Sequence, residues 1–178
     1  MKDLCAGLFC LYNTVMTLSE LFTSFQFSAF RLEGQATYVV EEEAEALKLH
    51  QNTGQLPEEF GTEWVEFVRN QRRLGKKIQR LRLLSDVLSE YERFELKAYT
   101  GMNSGEGIRF TKRSNQPYEY DFWLFDDRWL ARMEYGDDGR YITSTISAVT
   151  SENREIVDDW LALYHAAPSI SEIAPVSK

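Results

Sequence analysis

The sequence is poor in residues that staple or stiffen a chain, with 2 cysteines, 4 prolines and 10 glycines among 178 residues. Cys5 and Cys10 would close only a trivial loop, so they provide no disulfide framework. Their CxxxxC spacing, with no histidine or second cysteine pair nearby, argues against a structural zinc site. We therefore expect two reduced thiols in a cytoplasmic protein, because disulfides persist mainly in oxidising compartments.

Long apolar runs are also missing. No run reaches the roughly 18 residues that a membrane-spanning helix needs. Residues 4–16 are apolar, but Asp3 follows Lys2 in what would be the basic region of a signal peptide, and no clear small-x-small cleavage site follows. A hydrophobic share of 43%, with 4 Trp, 9 Tyr and 11 Phe, excludes a disordered chain. The low Pro and Gly content excludes a fibrous one.

The length predicts one compact domain. Met16 precedes Thr17-Leu18-Ser19-Glu20, a capping-box pattern in which Thr17 caps a helix and Glu20 bonds back to it. We therefore expect residues 1–15 to be an upstream extension or a loosely attached segment. Residues 16–167 would form the single globular domain, and residues 168–178, rich in Ser and Pro, a flexible tail.

The spacing of apolar residues predicts the order of helices and strands. Helices are expected at 17–25, 41–50, 62–74, 85–99 and 152–165, and strands at 29–33, 78–84, 108–112, 118–125, 129–135 and 140–149. Gly136-Asp137-Asp138-Gly139 predicts a hairpin turn. The result is a single α/β or α+β domain: a mixed β-sheet with a C-terminal β-meander, flanked by N-terminal helices and a C-terminal helix.

Charge of one sign dominates, because 28 Asp+Glu against 20 Lys+Arg give a net charge of −8. This balance disfavours a protein that coats nucleic acid non-specifically, a task that needs a cationic face. Residues 69–82 nevertheless hold seven cations. Within them, Arg80 and Arg82 alternate on a predicted strand and place two guanidiniums on one face, a geometry suited to carboxylate or phosphate. Internal pairing of these arginines with the abundant carboxylates is the alternative.

The common catalytic signatures are missing. We find no GxSxG elbow, no glycine-rich phosphate loop, no HExxH and no GxGxxG between a strand and a helix. His50 and His165, the only histidines, lie on predicted helices without an obvious partner. Asp126 and Asp127 would point to opposite sides of a strand, and no third metal ligand is identifiable. We therefore expect no metal and no cofactor, and the working groups would be carboxylates, arginines and tyrosines.

Three further clusters supply such groups. Tyr91 and Glu95 lie one helical turn apart, a loop delivers Glu106 and Arg109 to the start of a strand, and an aromatic strand precedes Asp126. We expect Arg80, Arg82, Glu95 and Arg109 to converge in a cleft accessible to solvent. The full set of candidate ligand-binding residues is Arg80, Arg82, Tyr91, Arg93, Glu95, Glu106, Arg109, Trp123 and Asp126. If the protein is an enzyme, the catalytic groups would be Glu95, Glu106 and Asp126.

These stretches, in this order, resemble a bacterial family of domains of unknown function. The matching pieces, together covering roughly residues 16–165, are Ala29-Phe30-Arg31-Leu32-Glu33, Arg80-Leu81-Arg82, 91–96, 105–109 and 121–127. Members of that family are often encoded beside helix-turn-helix regulators. The resemblance therefore implies a regulatory or accessory role.

A more distant resemblance is to phospholipase D-like domains. The strand at 78–84 and the hydrophobic-Asp-Asp step at 123–127 are similar to their outline. Those enzymes need a His-x-Lys pair before the final strand motif, whereas this chain has Pro117-Tyr118-Glu119-Tyr120-Asp121 there. The resemblance thus implies a non-catalytic relative that kept a binding cleft.

Together these observations predict a non-enzymatic binding or regulatory module. It would recognise an anionic ligand or a protein partner, for example a helix-turn-helix regulator, with no membrane and no direct non-specific nucleic-acid binding. The alternative is an enzyme or toxin that uses carboxylate and arginine acid–base chemistry on a substrate such as a phosphate compound. Such an enzyme would need a carboxylate pKa shifted toward neutrality by burial. A purely structural or assembly role also stays open.

Overall fold

The computed structural model describes residues 16–173 apart from residue 103. The predictions made for residues 1–15, and for the tail beyond residue 173, lie outside the described residues. In the described part of the chain, no helix is both long and apolar enough to cross a membrane.

Helices and strands follow the predicted order. The helices are α1 Leu18–Ser24, α2 Ala44–Thr53, α3 Thr62–Arg73, α4 Glu90–Gly101, α5 Arg154–Ala166 and α6 Ile170–Ile173, with 3₁₀ turns at Glu41–Glu43 and Arg113–Asn115. The strands are β1 Ser28–Glu33, β2 Lys77–Leu84, β3 Gly107–Lys112, β4 Phe122–Phe125, β5 Trp129–Tyr135 and β6 Tyr141–Ala148.

The six strands form one mixed sheet in the order β3-β2-β1-β4-β5-β6. Strands β1, β2 and β3 run parallel, so helical crossovers join them: α2 and α3 connect β1 to β2, and α4 connects β2 to β3. Strands β4, β5 and β6 form the antiparallel meander, with β4 antiparallel to β1. The predicted fold class, a single α+β domain on a mixed sheet, is confirmed.

The two faces of the sheet differ in chemistry. One face is apolar, and α5 packs on it through residues that include Val157, Trp160 and Tyr164. The other face is apolar where Ala29, Ile78 and Phe125 meet α1 and α3, and at Ile108 and Phe110 on β3. Further along, this second face carries buried charged side chains, because alternate strand positions share a face.

Local caps explain where the helices begin. Thr17 and Glu20 form the predicted capping box of α1. Helix α4 begins at Glu90 rather than at Ser85, because Ser89 and Glu92 form a second capping box. Glu92 also accepts a hydrogen bond from the backbone of Ser85 (2.8 Å), which holds the preceding segment outside the helix.

The chain after α5 stays against the sheet as far as the structure describes it. The N–H of Phe110 on β3 donates to the carbonyl of Pro168 (3.0 Å), and Arg109 and Ser169 form an isolated antiparallel bridge. Residues 168 and 169 therefore pair with the β3 edge of the sheet, and α6 follows them.

Asp126 has a structural role at the turn between β4 and β5. Its backbone is left-handed (φ 52°). Its carboxylate accepts backbone hydrogen bonds from Gln26 (2.7 Å), Phe27 (2.6 Å) and Ser28 (3.0 Å). Burial would raise the pKa of Asp126, but these three N–H groups lower it below its ordinary value. The carboxylate therefore ties the turn to the start of β1, away from the charged cluster on the sheet.

We expect Asp126→Asn to lower the free energy of unfolding by about 1–3 kcal/mol, because charge-assisted hydrogen bonds are lost while size and turn geometry are kept. Urea denaturation at neutral pH measures the loss. Asp127→Asn is the matched control: Asp127 also has a left-handed backbone (φ 57°), but its carboxylate pairs only at the surface with Arg154. Equal losses in the two variants would contradict this role.

Candidate functional site

The candidate site lies on the sheet face that α2, α3 and α4 cover. Register places Arg31 of β1 beside Arg80 of β2, and Glu33 beside Arg82. All four residues are buried. Hydrophobic side chains at these positions would cost less free energy to bury, because removing charges from water is unfavourable unless they are well paired. A buried charged patch at this position therefore points to a function beyond stability.

The first part of the network runs from β1 to the loop before β3. Glu33 Oε1 accepts from Arg31 Nε (3.2 Å) and pairs with Arg80 Nη1 (2.6 Å). Arg80 Nε donates to Glu106 Oε1 (2.7 Å), and the indole of Trp64 on α3 donates to Glu106 Oε2 (2.7 Å). Burial would raise the pKa of Glu33, but the guanidiniums of Arg80, Arg31 and Arg82 lower it to about 2. Glu33 is therefore ionised at neutral pH.

The second part joins β2 to α4. Arg82, fully buried, donates from Nε (2.8 Å) and Nη2 (2.6 Å) to the same oxygen of Glu95. The hydroxyl of Tyr99 lies 3.2 Å from both Glu95 Oε1 and Glu33 Oε2, and a phenol has one proton to give. Burial raises the pKa of Glu95 to about 7, with Arg82 opposing the shift and Glu33 adding to it. Glu95 therefore titrates near neutral pH.

The third part centres on Asp121, which is fully buried just before β4. Its carboxylate accepts from the backbone of Gly34 (2.8 Å), from Arg31 Nη2 (3.1 Å), and from the hydroxyls of Tyr38 (2.5 Å) and Tyr118 (2.7 Å). These four donors come from the end of β1, the loop after it and the approach to β4. Asp121 therefore holds the loop after β1 against the sheet and positions Arg31.

One guanidinium of the network is incompletely paired. Arg31 uses Nε for Glu33, and Nη2 for Asp121 and for the hydroxyl of Tyr135 (2.7 Å). Its Nη1 is buried and has no hydrogen-bond partner among the residues that the structure describes. A buried donor in this state costs about 1–3 kcal/mol, so proteins rarely leave one without purpose.

Arg31 lines a cavity of about 920 Å³ between the sheet, α3, α4 and the β5–β6 hairpin. Glu33, Arg80, Glu95 and Glu106 lie along the same wall. The aromatic residues of the lining are Tyr38, Phe60, Trp64, Tyr91, Phe94, Tyr99, Tyr135 and Tyr141. The cavity thus combines a charged floor with aromatic walls, the composition of a site that orients an organic ligand. Among the described residues, no group of three His, Cys, Asp or Glu side chains could hold a metal ion.

The structure brings together part of the predicted set. Arg80, Tyr91, Glu95 and Glu106 line the cavity. Arg82 is fully buried and reaches this group through its hydrogen bonds to Glu95. Both arginines pair with carboxylates, which is the alternative left open by the sequence, yet their pairs border a cavity rather than a closed core.

Four predicted residues lie outside the cavity lining, although Trp123 has the Arg31 guanidinium over its ring (5.5 Å). Arg109 occupies the opposite face of the sheet, where it donates to the carbonyl of Ala167 and lies over the Tyr164 ring (5.3 Å). Phe110, the next residue along β3, lies beside Arg82 of β2 and shares its face. Because neighbouring residues of a strand point to opposite faces, Arg109 points away from the arginines. The expected convergence of Arg109 with Arg80 is therefore wrong. The other three also lie outside the cavity lining: Arg93 is exposed, Trp123 packs against α1 and α3, and Asp126 holds its turn.

Sequence reasoning missed several residues of the network. Arg31 and Glu33 lie two apart on a predicted strand, the same pattern that singled out Arg80 and Arg82, so they could have been found by it. Asp121 lay within the predicted strand at 118–125 but was not chosen, and the structure begins that strand only at Phe122. Tyr38 gave no comparable signal, because it lies in a loop outside any strand.

Comparison with known proteins places the chain in a family without assigning it an activity. No curated protein matches the sequence. The likeness to phospholipase D-like domains stays a prediction. A family model described as "Domain of unknown function (DUF6879)" matches residues 16–174, a range that contains all of the described residues. The chain therefore belongs to the DUF6879 family, as the expectation of a domain-of-unknown-function family anticipated.

Proposed function

We propose that this protein is a non-enzymatic binding module whose cavity receives the carboxylate, or another small anionic group, of an organic ligand. The observation that carries the proposal is Arg31, a buried cation that lines the cavity with its Nη1 unpartnered among the described residues. An acceptor oxygen at Nη1 would form a charge-assisted hydrogen bond and remove the cost of the buried donor. An anionic group is the ligand chemistry that meets this need best.

The position and size of the cavity support the proposal. Glu33 is the last residue of β1, and the cavity lies beside it and the neighbouring part of β2. In open sheets with parallel strands, ligands bind outside the carboxyl ends of the strands. A volume of about 920 Å³ falls within the range of roughly 300–1,000 Å³ that is common for sites of small organic molecules.

The bonding of the candidate acid–base groups favours binding over catalysis. Glu106 accepts a hydrogen bond at each of its oxygens, from Arg80 and from Trp64. Glu95 has Arg82 on one oxygen and Tyr99 on the other. A general acid or base needs an oxygen within reach of the substrate. These carboxylates are instead engaged in holding arginines in place.

Acid–base catalysis is the second candidate function, and one observation favours it. Glu95 lines the cavity, and its pKa is raised to about 7, where a carboxyl group can exchange protons at neutral pH. Mass spectrometry of any bound compound, before and after incubation with the protein, decides between the two: unchanged mass supports binding alone. Recognition of a protein partner, including a helix-turn-helix regulator, stays a prediction from the sequence.

The proposal is tested with acetate, glutarate and inorganic phosphate as probes, by isothermal titration calorimetry. We expect Arg31→Lys to weaken probe binding about tenfold or more, because lysine keeps the charge that Glu33 and Asp121 need but loses the planar fork. Arg109→Lys is the matched control, since Arg109 lies on the opposite face and should leave the affinity unchanged.

A second readout uses the unmodified protein and so does not depend on the folding of a variant. Titration of the probes should shift the side-chain ¹⁵N resonances of Arg31 in NMR spectra, with those of Arg109 unmoved. Unchanged Arg31 resonances, or equal binding by both lysine variants, would overturn the anion site.

A further inference from the structure

A chain of aromatic rings crosses the cavity from the Arg31 side toward the 3₁₀ turn at Glu41–Glu43. The ring of Tyr135, whose hydroxyl bonds to Arg31, lies 5.3 Å from that of Tyr38, and Tyr38 lies 5.7 Å from Tyr91. Tyr91 in turn lies 5.7 Å from Phe94. All four residues line the cavity, so a ligand that extends from Arg31 would lie beside aromatic rings.

Glu43 lies at the far end of this chain of rings. Its Oε2 accepts a hydrogen bond from the hydroxyl of Tyr91 (2.6 Å). Burial raises the pKa of Glu43 above its ordinary value, although the Tyr91 hydrogen bond opposes the shift. Glu43 makes no ion pair with any residue in the part of the chain that the structure describes. It is thus a half-buried carboxylate beside aromatic rings that Arg80 influences only at longer range, without an ion pair among the described residues.

The mouth of the cavity repeats this pattern. Exposed Glu42, Glu59 and Glu63 also line it, and none of them pairs with a cation among the described residues. In all, seven glutamates but only two arginines are found in the described lining. A ligand carrying negative charge alone should therefore bind less tightly than one that also carries a positive charge, because these carboxylates repel it.

We infer that the ligand is zwitterionic: its anionic group meets Arg31, and an organic cation, an ammonium or guanidinium group, lies between Glu43 and the Tyr38 and Tyr91 rings. This inference rests on the proposed function, because it names the class of ligand for the same cavity. Aromatic rings attract cations, and a carboxylate beside them supplies the counter-charge, so the two features together favour an organic cation.

The experiment compares two series of probes of equal chain length, ω-amino acids and dicarboxylic acids, each of about 4 to 12 carbons so that the spacing of the two subsites is sampled. With the unmodified protein we expect the best amino acid to bind about tenfold more tightly than the dicarboxylic acid of the same length. Glu43→Gln should weaken binding of the amino acid about tenfold, whereas binding of the dicarboxylic acid should not weaken, because a repelling charge has been removed. Glu41→Gln is the control, because Glu41 pairs with Arg140 and does not line the cavity.

The outcomes separate the two proposals. Equal affinities for the two series, unaffected by Glu43→Gln but still weakened by Arg31→Lys, would overturn the cation subsite and leave the anion site standing. Failure of both series to bind would overturn the proposed function itself. The comparison of the two series in the unmodified protein remains decisive even if Glu43→Gln fails to fold.

Discussion

Arg82→Met is expected to lower the free energy of unfolding by about 3–5 kcal/mol at pH 8, because it leaves the Glu95 carboxylate buried without its partner. The guanidinium of Arg82 is fully buried and makes two hydrogen bonds to one oxygen of Glu95 (2.6 and 2.8 Å). Methionine fills similar space without a charge. Urea denaturation of the two proteins measures the difference.

The loss should depend on pH in a definite direction. The pKa of Glu95 is about 7 in the folded protein and 4.5 as its ordinary value, so the folded state binds the extra proton between these limits. A raised carboxyl pKa means that stability falls as pH rises through this window. Without Arg82 the folded pKa rises further, and the fall extends above pH 7. The destabilisation should therefore be larger at pH 8 than at pH 5, where Glu95 is protonated in both proteins.

Two further variants test the cause of that loss. Arg93→Met removes an exposed arginine of α4, the helix that carries Glu95, and Arg93 pairs with Glu90 at 3.5 Å. This substitution should change the free energy of unfolding by less than about 1 kcal/mol. Adding Glu95→Gln to Arg82→Met should restore part of the stability at pH 8, because no buried charge is left unpaired. A loss independent of pH, or no recovery in the double variant, would contradict this account.

The second large effect is expected for Asp121→Asn, which should lower the free energy of unfolding by about 2–4 kcal/mol. The carboxylate of Asp121 accepts four hydrogen bonds, from the Gly34 backbone, Arg31, Tyr38 and Tyr118. An amide of the same shape would turn N–H groups toward these donors and remove the charge that faces Arg31. Urea denaturation at neutral pH measures the loss.

Asp137→Asn is the control for this substitution, because Asp137 is exposed in the β5–β6 turn. It should change stability by less than about 0.5 kcal/mol. Because Asp121 positions Arg31, Asp121→Asn should also weaken binding of glutarate, even in conditions where the variant is fully folded. Unaltered glutarate binding in the folded variant would mean that Asp121 supports the fold alone.

The order of helices and strands could be predicted because it depends on short-range pattern. Alternation identified β2, the Gly136–Gly139 turn separated β5 from β6, and the Thr17–Glu20 capping box located α1. Boundaries were harder where two capping residues compete, as Ser85 and Ser89 do before α4. Such competition is settled by hydrogen bonds, here those of Glu92, that a pattern of apolar residues does not contain.

The candidate site could likewise be predicted only where it depends on short-range pattern. Strand alternation placed Arg80 and Arg82 on one face, and their proximity to Glu95 followed from the short connection between β2 and α4. The side of the sheet on which Arg109 lies depends on how β3 registers with β2, and a shift of one residue reverses it. The sequence contains no comparable information on that register.

By itself, the sequence determined the order of helices and strands in this protein and the chemical groups available for a site, which are arginines, carboxylates and tyrosines in an acidic chain. Only the tertiary structure decided which of them meet. Because β1 lies between β2 and β4, Arg31 reaches Glu33 on its own strand and Asp121 from a segment 90 residues away. That strand order is set by long-range packing, and it leaves Arg31 in the cavity lining with a buried Nη1 that has no partner among the described residues.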